Sequence, residues 1–173
     1  MQLGTGRGYE SYLVRGLDSA FLEHTTFGLG GTARGYDSTR QVWNAVRTHP
    51  GLAVVDSTIV PRRDNWNFGA APDFALSGFY FGEGKFDPIP VEVLDKQTGR
   101  TKKLTVIGIL KDTAPLEMAG ISTSQQTLTS AFPGRTRPTI HYFALAPGVD
   151  PEVMAAKLES AFLENGLEAQ SIQ

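Results

Sequence analysis

Two segments of the sequence share one pattern, in which a capped amphipathic helix lies between two apolar stretches. In the C-terminal copy, the alternation of side chains predicts a strand over 138–146. Asp150 is suited to the N-cap of the next helix, and Pro151 to its first position, where a proline loses no hydrogen bond. Asn165 and Gly166 then predict the end of that helix, with a further strand after it.

The N-terminal copy covers residues 19–60. The sequence predicts a strand over 19–29 and a second strand over 52–60, where β-branched residues are frequent. Between them, Asp37 or Ser38 is the predicted N-cap of a helix that carries its apolar residues on one face. The two copies therefore predict two strand–helix–strand units.

Two such units can form an α+β fold of the ferredoxin-like, split βαβ type, with both helices on one face of the sheet. We expect residues 19–60 and 138–173 to form this platform and residues 1–19 to lead into it. Residues 61–138 are then a β-rich subdomain inserted into the platform. The side chains of these two helices that should be largely buried are Trp43, Val46, Leu158 and Phe162.

The inserted segment contains a predicted β-hairpin. Residues 90–110 have the composition of two strands, and Gln97-Thr98-Gly99 lies between them as a turn.

Composition excludes several classes of function. The chain has 16 Lys and Arg against 18 Asp and Glu, a formal net charge of −2, so it has no basic excess for nucleic acid. It has no cysteine, which excludes disulfides, thiolate-bound zinc and a cysteine nucleophile. No apolar stretch approaches the ~18 residues of a membrane span, and the N-terminus does not have the pattern of a signal peptide.

A glycine-rich stretch gives one alternative for function. Gly28, Gly30 and Ala33 match the G-x-G-x-x-A fingerprint of dinucleotide-binding proteins, and Asp56 ends the next predicted strand. However, a phosphate-binding helix should begin within the glycines, whereas the predicted helix begins near residue 38. A glycine connector is the interpretation that we favour, and a small dinucleotide-binding α/β protein is the alternative.

No residue pattern indicates catalysis or a metal. The three histidines, His24, His49 and His141, have no acidic or histidine neighbour at ligand spacing. Nucleophile-elbow, zinc-protease and Walker A sequences are absent. We therefore predict no catalytic residue, no cofactor and no metal.

Aromatic residues are concentrated in the inserted segment. They predict either a small core or a partly exposed surface for a partner or an apolar substrate. The candidates for that surface are Trp66, Phe79, Tyr80, Phe81 and Phe86.

The order of several short motifs gives a resemblance to a known family. "LTVIGIL" at 104–110 is followed by "IST" at 121–123, a predicted strand at 138–146, "GVD" at 148–150 and the helix from Pro151. This order resembles that of the periplasmic core domain of MacB/FtsX-like ABC transporter permeases. The resemblance covers most of residues 20–173, and the glycine-rich stretch at 28–35 is not part of it.

The resemblance implies a porter-like α/β subdomain with an inserted β subdomain, on the extracytoplasmic side of a cell membrane. It implies that the chain is a domain of a larger permease and is itself not an enzyme. The implied partners are a second or paired permease copy and, through the membrane part, a separate ATP-binding cassette subunit. The implied substrates are a lipoprotein, lipid or peptide, and nucleic acid is not among them.

Overall fold

The computed structural model describes residues 2–4, 9–63, 75–166 and 168–171, and the chain has an α+β fold. It divides into two compact units, Met1–Arg137 and Pro138–Gln173. No helix of the described ranges is long and apolar enough to cross a membrane.

The first unit contains nine strands and three α-helices among the described residues. The strands are β1 (Gln2–Gly4), β2 (Tyr9–Ser11), β3 (Val14–Leu17), β4 (Leu29–Ala33), β5 (Leu52–Val55), β6 (Lys85–Phe86), β7 (Ile89–Leu94), β8 (Thr101–Leu110) and β9 (Ile121–Ser124). The helices are α1 (Ser19–His24), α2 (Thr39–Thr48) and α3 (Gln125–Ala131).

One mixed sheet contains all nine of these strands, in the order β2-β1-β7-β8-β5-β9-β3, with β4 paired to β8 and β6 paired to β4. The long strand β8 lies at its centre. On one edge it pairs antiparallel with β7 over residues 101–106 and then with β4 over residues 108–110. On the other edge it pairs parallel with β5.

Helix α2 covers the sheet where β5 and β8 are paired. The Ser38 hydroxyl caps it by accepting from the backbone N–H of Gln41, and its four apolar side chains are buried. The close approach depends on Gly108, because a Cβ there would lie 2.9 Å from the side chain of Val42. The indole N–H of Trp43 donates to the carbonyl of Phe27 at 2.9 Å, so this core side chain leaves no buried donor unpaired.

The turn between β7 and β8 is built around Asp95, which is 2% exposed. Its carboxylate accepts from the Gln97 N–H and the Thr98 hydroxyl, and it lies 3.2 Å from the Arg135 guanidinium. Burial alone raises the pKa of Asp95, but the hydrogen bonds from Thr98 and Gln97 and the charge of Arg135 outweigh it and lower that pKa. The turn thus holds Asp95 in its ionised form.

A second buried carboxylate, that of Asp56, joins three separate parts of the chain. Asp56 is 7% exposed and accepts from the Tyr12 hydroxyl, from the Thr58 N–H and hydroxyl, and from the Gly120 N–H, at 2.5–2.7 Å. Burial and then the bond to Asp56 raise the pKa of Tyr12. Gly120 has a φ of +108°, and a Cβ there would lie 2.5 Å from the carbonyl of Leu13. Only glycine therefore suits this position.

The second unit contains helix α4 (Pro151–Phe162), which a single 3-10 turn extends to Asn165. Asp150 caps α4 by accepting from the N–H groups of Glu152 and Val153, and Gly166 ends the 3-10 turn in the left-handed conformation. None of the side chains of α4 is buried.

Several local predictions are confirmed. The helix cap at Ser38, the turn at residues 97–99, and the cap and stop of α4 lie where the sequence places them. Trp43 and Val46 are fully buried, as predicted. In contrast, Phe162 is 40% exposed, so the burial predicted for this side chain is wrong, and Leu158 is partly buried.

Three predicted strands are wrong. Over residues 19–29, Asp18 caps α1 by accepting from the Phe21 N–H, and extended pairing starts only at Leu29. Residues 138–146 form no strand, and the described residues 168–171 do not form the strand predicted after the last helix. Alternation of apolar and polar side chains indicates which face a strand would bury. A strand also requires a neighbouring strand that forms hydrogen bonds with its backbone, and alternation does not indicate one.

The strands of residues 61–138 lie in the same sheet as β4 and β5. The segment contains β6, β7, β8 and β9, and β8 lies at the centre of that sheet. The pairing of 19–60 with 138–173 in one platform stays a prediction.

We predict that Asp56→Ala lowers the free energy of unfolding by about 3 kcal/mol, because it leaves several buried donors without an acceptor. Asp18→Ala is the matched control. It removes one exposed capping bond and should cost about 1 kcal/mol. Urea unfolding of the two variants measures the difference, and equal losses would contradict the role given to Asp56.

We also predict that Asp95 contributes to the acid sensitivity of the fold. A carboxylate whose pKa is lowered in the folded state stabilises it above the unfolded pKa, and this contribution is lost as the pH falls through the folded pKa. Asp95→Asn should therefore be less stable than the natural chain at neutral pH and lose less stability between about pH 5 and pH 2. The control is Lys96→Ala, in the same turn, which should keep the natural pH profile in thermal unfolding.

Candidate interaction surface

Two chain segments come together at the site that carries two of the aromatic candidates, Tyr80 and Phe81. The Leu76 N–H donates to the carbonyl of Ile59, and the Phe81 N–H donates to the carbonyl of Pro61, both at 2.8 Å. These bonds place Arg62 and Arg63 beside the segment 79–83. We call the side chains of Arg62, Arg63, Tyr80, Phe81 and Glu83 the arginine–aromatic surface.

Arg62 connects this surface to the end of β8. Its guanidinium carbon lies 4.4 Å from the centre of the Phe81 ring, which is the geometry of a cation–π contact. The same group donates to Asp112 at 2.6 Å, and this hydrogen bond lowers the pKa of the Asp112 carboxyl. The Phe81 ring in turn occupies the space beside Gly30 in β4, where a Cβ would lie 3.2 Å from it.

Arg63 forms the second pair. Its guanidinium carbon lies 4.8 Å from the centre of the Tyr80 ring, and its Nη2 donates to Glu83 Oε1 at 2.6 Å. This hydrogen bond is the main cause of the lowered pKa of the Glu83 carboxyl. The second carboxylate oxygen of Glu83 accepts a hydrogen bond from the Tyr80 N–H. Arg63, Tyr80 and Glu83 thus fix one another in place.

The five aromatic candidates occupy different environments. Phe79 and Phe86 are 6% and 3% exposed, and their rings stack with centroids 4.7 Å apart. These two side chains belong to the core. Phe81 is half-buried, Tyr80 is 41% exposed, and Trp66 lies outside the described residues. Of the described candidates, Tyr80 is the one that a partner can reach most directly.

The surface contributes little to stability and is suited to recognition. Exposed ion pairs are worth about 0–1 kcal/mol and exposed cation–π contacts about 0.5–1 kcal/mol. Side chains of Arg and Tyr are enriched where protein interfaces carry most of their binding energy. Glu83 binds the Tyr80 backbone N–H and Arg63 lies over the Tyr80 ring, and these contacts reduce the conformational freedom that Tyr80 would lose when a partner binds.

The glycine-rich stretch has another structure. Gly30 and Gly31 lie within strand β4, and α2 begins only at Thr39. The glycines therefore do not form the turn that would place a phosphate at a helix N-terminus. The interpretation of this stretch as a flexible connector is also wrong, since β4 pairs with β8 and β6.

Within residues 2–4, 9–63, 75–166 and 168–171, no group of three or more His, Asp or Glu side chains is arranged to hold a metal ion. No family model, curated protein or solved structure matches the chain.

Sequence reasoning missed the roles of Arg62 and Arg63. The sequence shows two adjacent arginines after Pro61. It does not show that their aromatic partners lie in the segment 79–83. The available signal was the combination of two adjacent arginines with a later Tyr-Phe pair and an acidic residue.

We predict that Tyr80→Ser and Phe79→Ser differ strongly in stability although the residues are adjacent. Tyr80→Ser removes an exposed ring and one exposed cation–π contact, so it should lower the free energy of unfolding by at most about 1 kcal/mol. Phe79→Ser removes a buried aromatic side chain and should cost about 3 kcal/mol or more. Urea unfolding tests both, and a large loss in Tyr80→Ser would assign Tyr80 to the core.

Proposed function

We propose that the chain is a non-catalytic extracytoplasmic domain of an ABC transporter permease of the MacB/FtsX-like type. In this role it transmits motion, driven by ATP hydrolysis in a separate subunit, to the outer side of the membrane. The motion serves export, extraction of a lipoprotein, lipid or peptide, or regulation of a partner.

The observation that carries this proposal is the order of the elements. The "VIGIL" residues lie in β8, and after a 3-10 turn the "IST" residues form β9. Gly148 then has a left-handed φ of +83°, and Asp150 with Pro151 begins α4. Four of the five features on which the resemblance rests follow one another in the same order here, and the strand at 138–146 is the one that is absent.

The arginine–aromatic surface is the part of the domain that we assign to contact with a partner or substrate. It combines an exposed Tyr80 with charged groups that are already paired, so a partner need not supply counter-charges. The second permease copy, a paired permease and a lipoprotein, lipid or peptide are the candidate occupants.

The proposal predicts on which side of the membrane the domain lies. Because the chain has no cysteine, Lys96→Cys introduces a single thiol on the exposed β7–β8 turn. In cells that make the whole gene product, the labelling by a membrane-impermeant maleimide that Lys96→Cys adds to that of the natural product should be as strong before permeabilisation as after it.

The matched control is the same Lys96→Cys chain produced alone in the cytoplasm, which should be labelled only after permeabilisation. Labelling of the whole gene product only after permeabilisation would overturn the proposal. The reading frame around the chain gives a second test, since apolar segments of about 20 residues should flank it.

A further inference from the structure

A cavity of about 430 Å³ opens between the three helices of the first unit. It is bounded by the end of β3, by α1, by the last turn of α2 and by α3. Its volume lies within the range of roughly 300–1,000 Å³ that is usual for small-molecule sites. The cavity is separate from the arginine–aromatic surface, which lies on other segments.

The floor of the cavity is apolar and its walls are polar. Leu17 and Leu22 are 5% and 1% exposed and form the floor. The walls carry hydroxyl and amide groups, from Ser19, Gln125, Gln126, Thr129 and Ser130. Small-molecule sites combine these features, because the apolar part provides burial and the polar groups fix orientation.

Buried hydrogen bonds fix helix α3, which forms one wall of the cavity. The hydroxyls of Ser124 and Thr127 lie 2.8 Å apart, and Thr127 accepts from the Gly51 N–H at 3.0 Å. Both side chains are buried, so these bonds are shielded from water. The side chains of Gln125, Gln126 and Ser130 therefore project from a fixed backbone.

Arg47 supplies the one positive charge among the lining residues. Its Nη2 donates to the Asn44 side chain at 3.0 Å, and its Nη1 forms an ion pair with the Glu23 carboxylate at 3.7 Å, a distance that leaves the N–H groups of Nη1 able to bind another acceptor. A guanidinium has five N–H donors in a planar fork that matches a carboxylate. The Arg47 side chain is 31% exposed, so this fork is accessible and partly shielded.

We infer that this cavity binds a small polar molecule through its carboxylate, with Arg47 as the anchor. The glutamine amides and the Ser130 hydroxyl bind polar groups next to the carboxylate, and the two leucines contact a short apolar side chain. The carboxylate can belong to a free small acid or to the C-terminus of a peptide, since the chemistry that recognises it is the same. This inference does not depend on the proposed transporter function.

The test uses N-acetyl-alanine and N-acetyl-alanyl-alanine as probes, with N-acetyl-alaninamide as the uncharged control. Methyl NMR of the whole chain follows Leu17 and Leu22. Both acids should give saturable shifts of these methyl signals, and the amide should give none. If only the dipeptide acid binds, the ligand is a peptide C-terminus; if acetyl-alanine binds equally well, a free small acid is sufficient.

Arg47→Gln should weaken binding of the acids by about tenfold or more, as expected when a charge-assisted hydrogen bond is lost. Arg40→Gln is the matched control, because Arg40 lies on the same helix but does not line the cavity. Ser130→Ala should weaken binding while Arg47 stays in place. Equal shifts from the amide, the absence of shifts from both acids, or unchanged binding in Arg47→Gln would each overturn the inference.

Discussion

The sheet depends on strand β8, which has different neighbours along its two halves. Its first half pairs with β7 and its last residues with β4, while β5 occupies the opposite edge. The strand is ten residues long, which gives room for two neighbours along one edge. Its side chains from Val106 to Leu110 are buried on both faces, and Gly108 leaves space for α2.

Local chemistry accounts for what could be predicted from the sequence. Ser38 and Asp150 are caps because their side chains accept from nearby N–H groups, and such bonds span only two or three residues. The turn after Asp95 and the burial of Trp43 follow from equally short-range patterns. The resemblance to a permease domain rests on the order of such local features and stays a proposal.

The parts that could not be predicted depend on contacts between distant residues. Nothing near Arg62 in the sequence indicates that it lies over Phe81 and pairs with Asp112, and the cavity is formed by segments from β3 to α3. The strand predicted at 138–146 is wrong for a related reason, since its alternation says nothing about a hydrogen-bonded neighbour. The glycines of β4 are the opposite case. Their composition is typical of a loop, but pairing with β8 holds this segment in an extended conformation.

The pairing of β3 with β9 has a consequence for how the chain folds. It joins residues 14–17 to residues 121–124 in parallel, so its two strands come from distant parts of the sequence. Contacts of such large sequence separation slow folding, because the entropy of loop closure is lost before the contact stabilises the chain. The Tyr12–Asp56–Gly120 hydrogen bonds lie beside this edge and join the same distant segments. The edge and its buried carboxylate should therefore assemble in one late step, after the hairpin of β7 and β8 has formed.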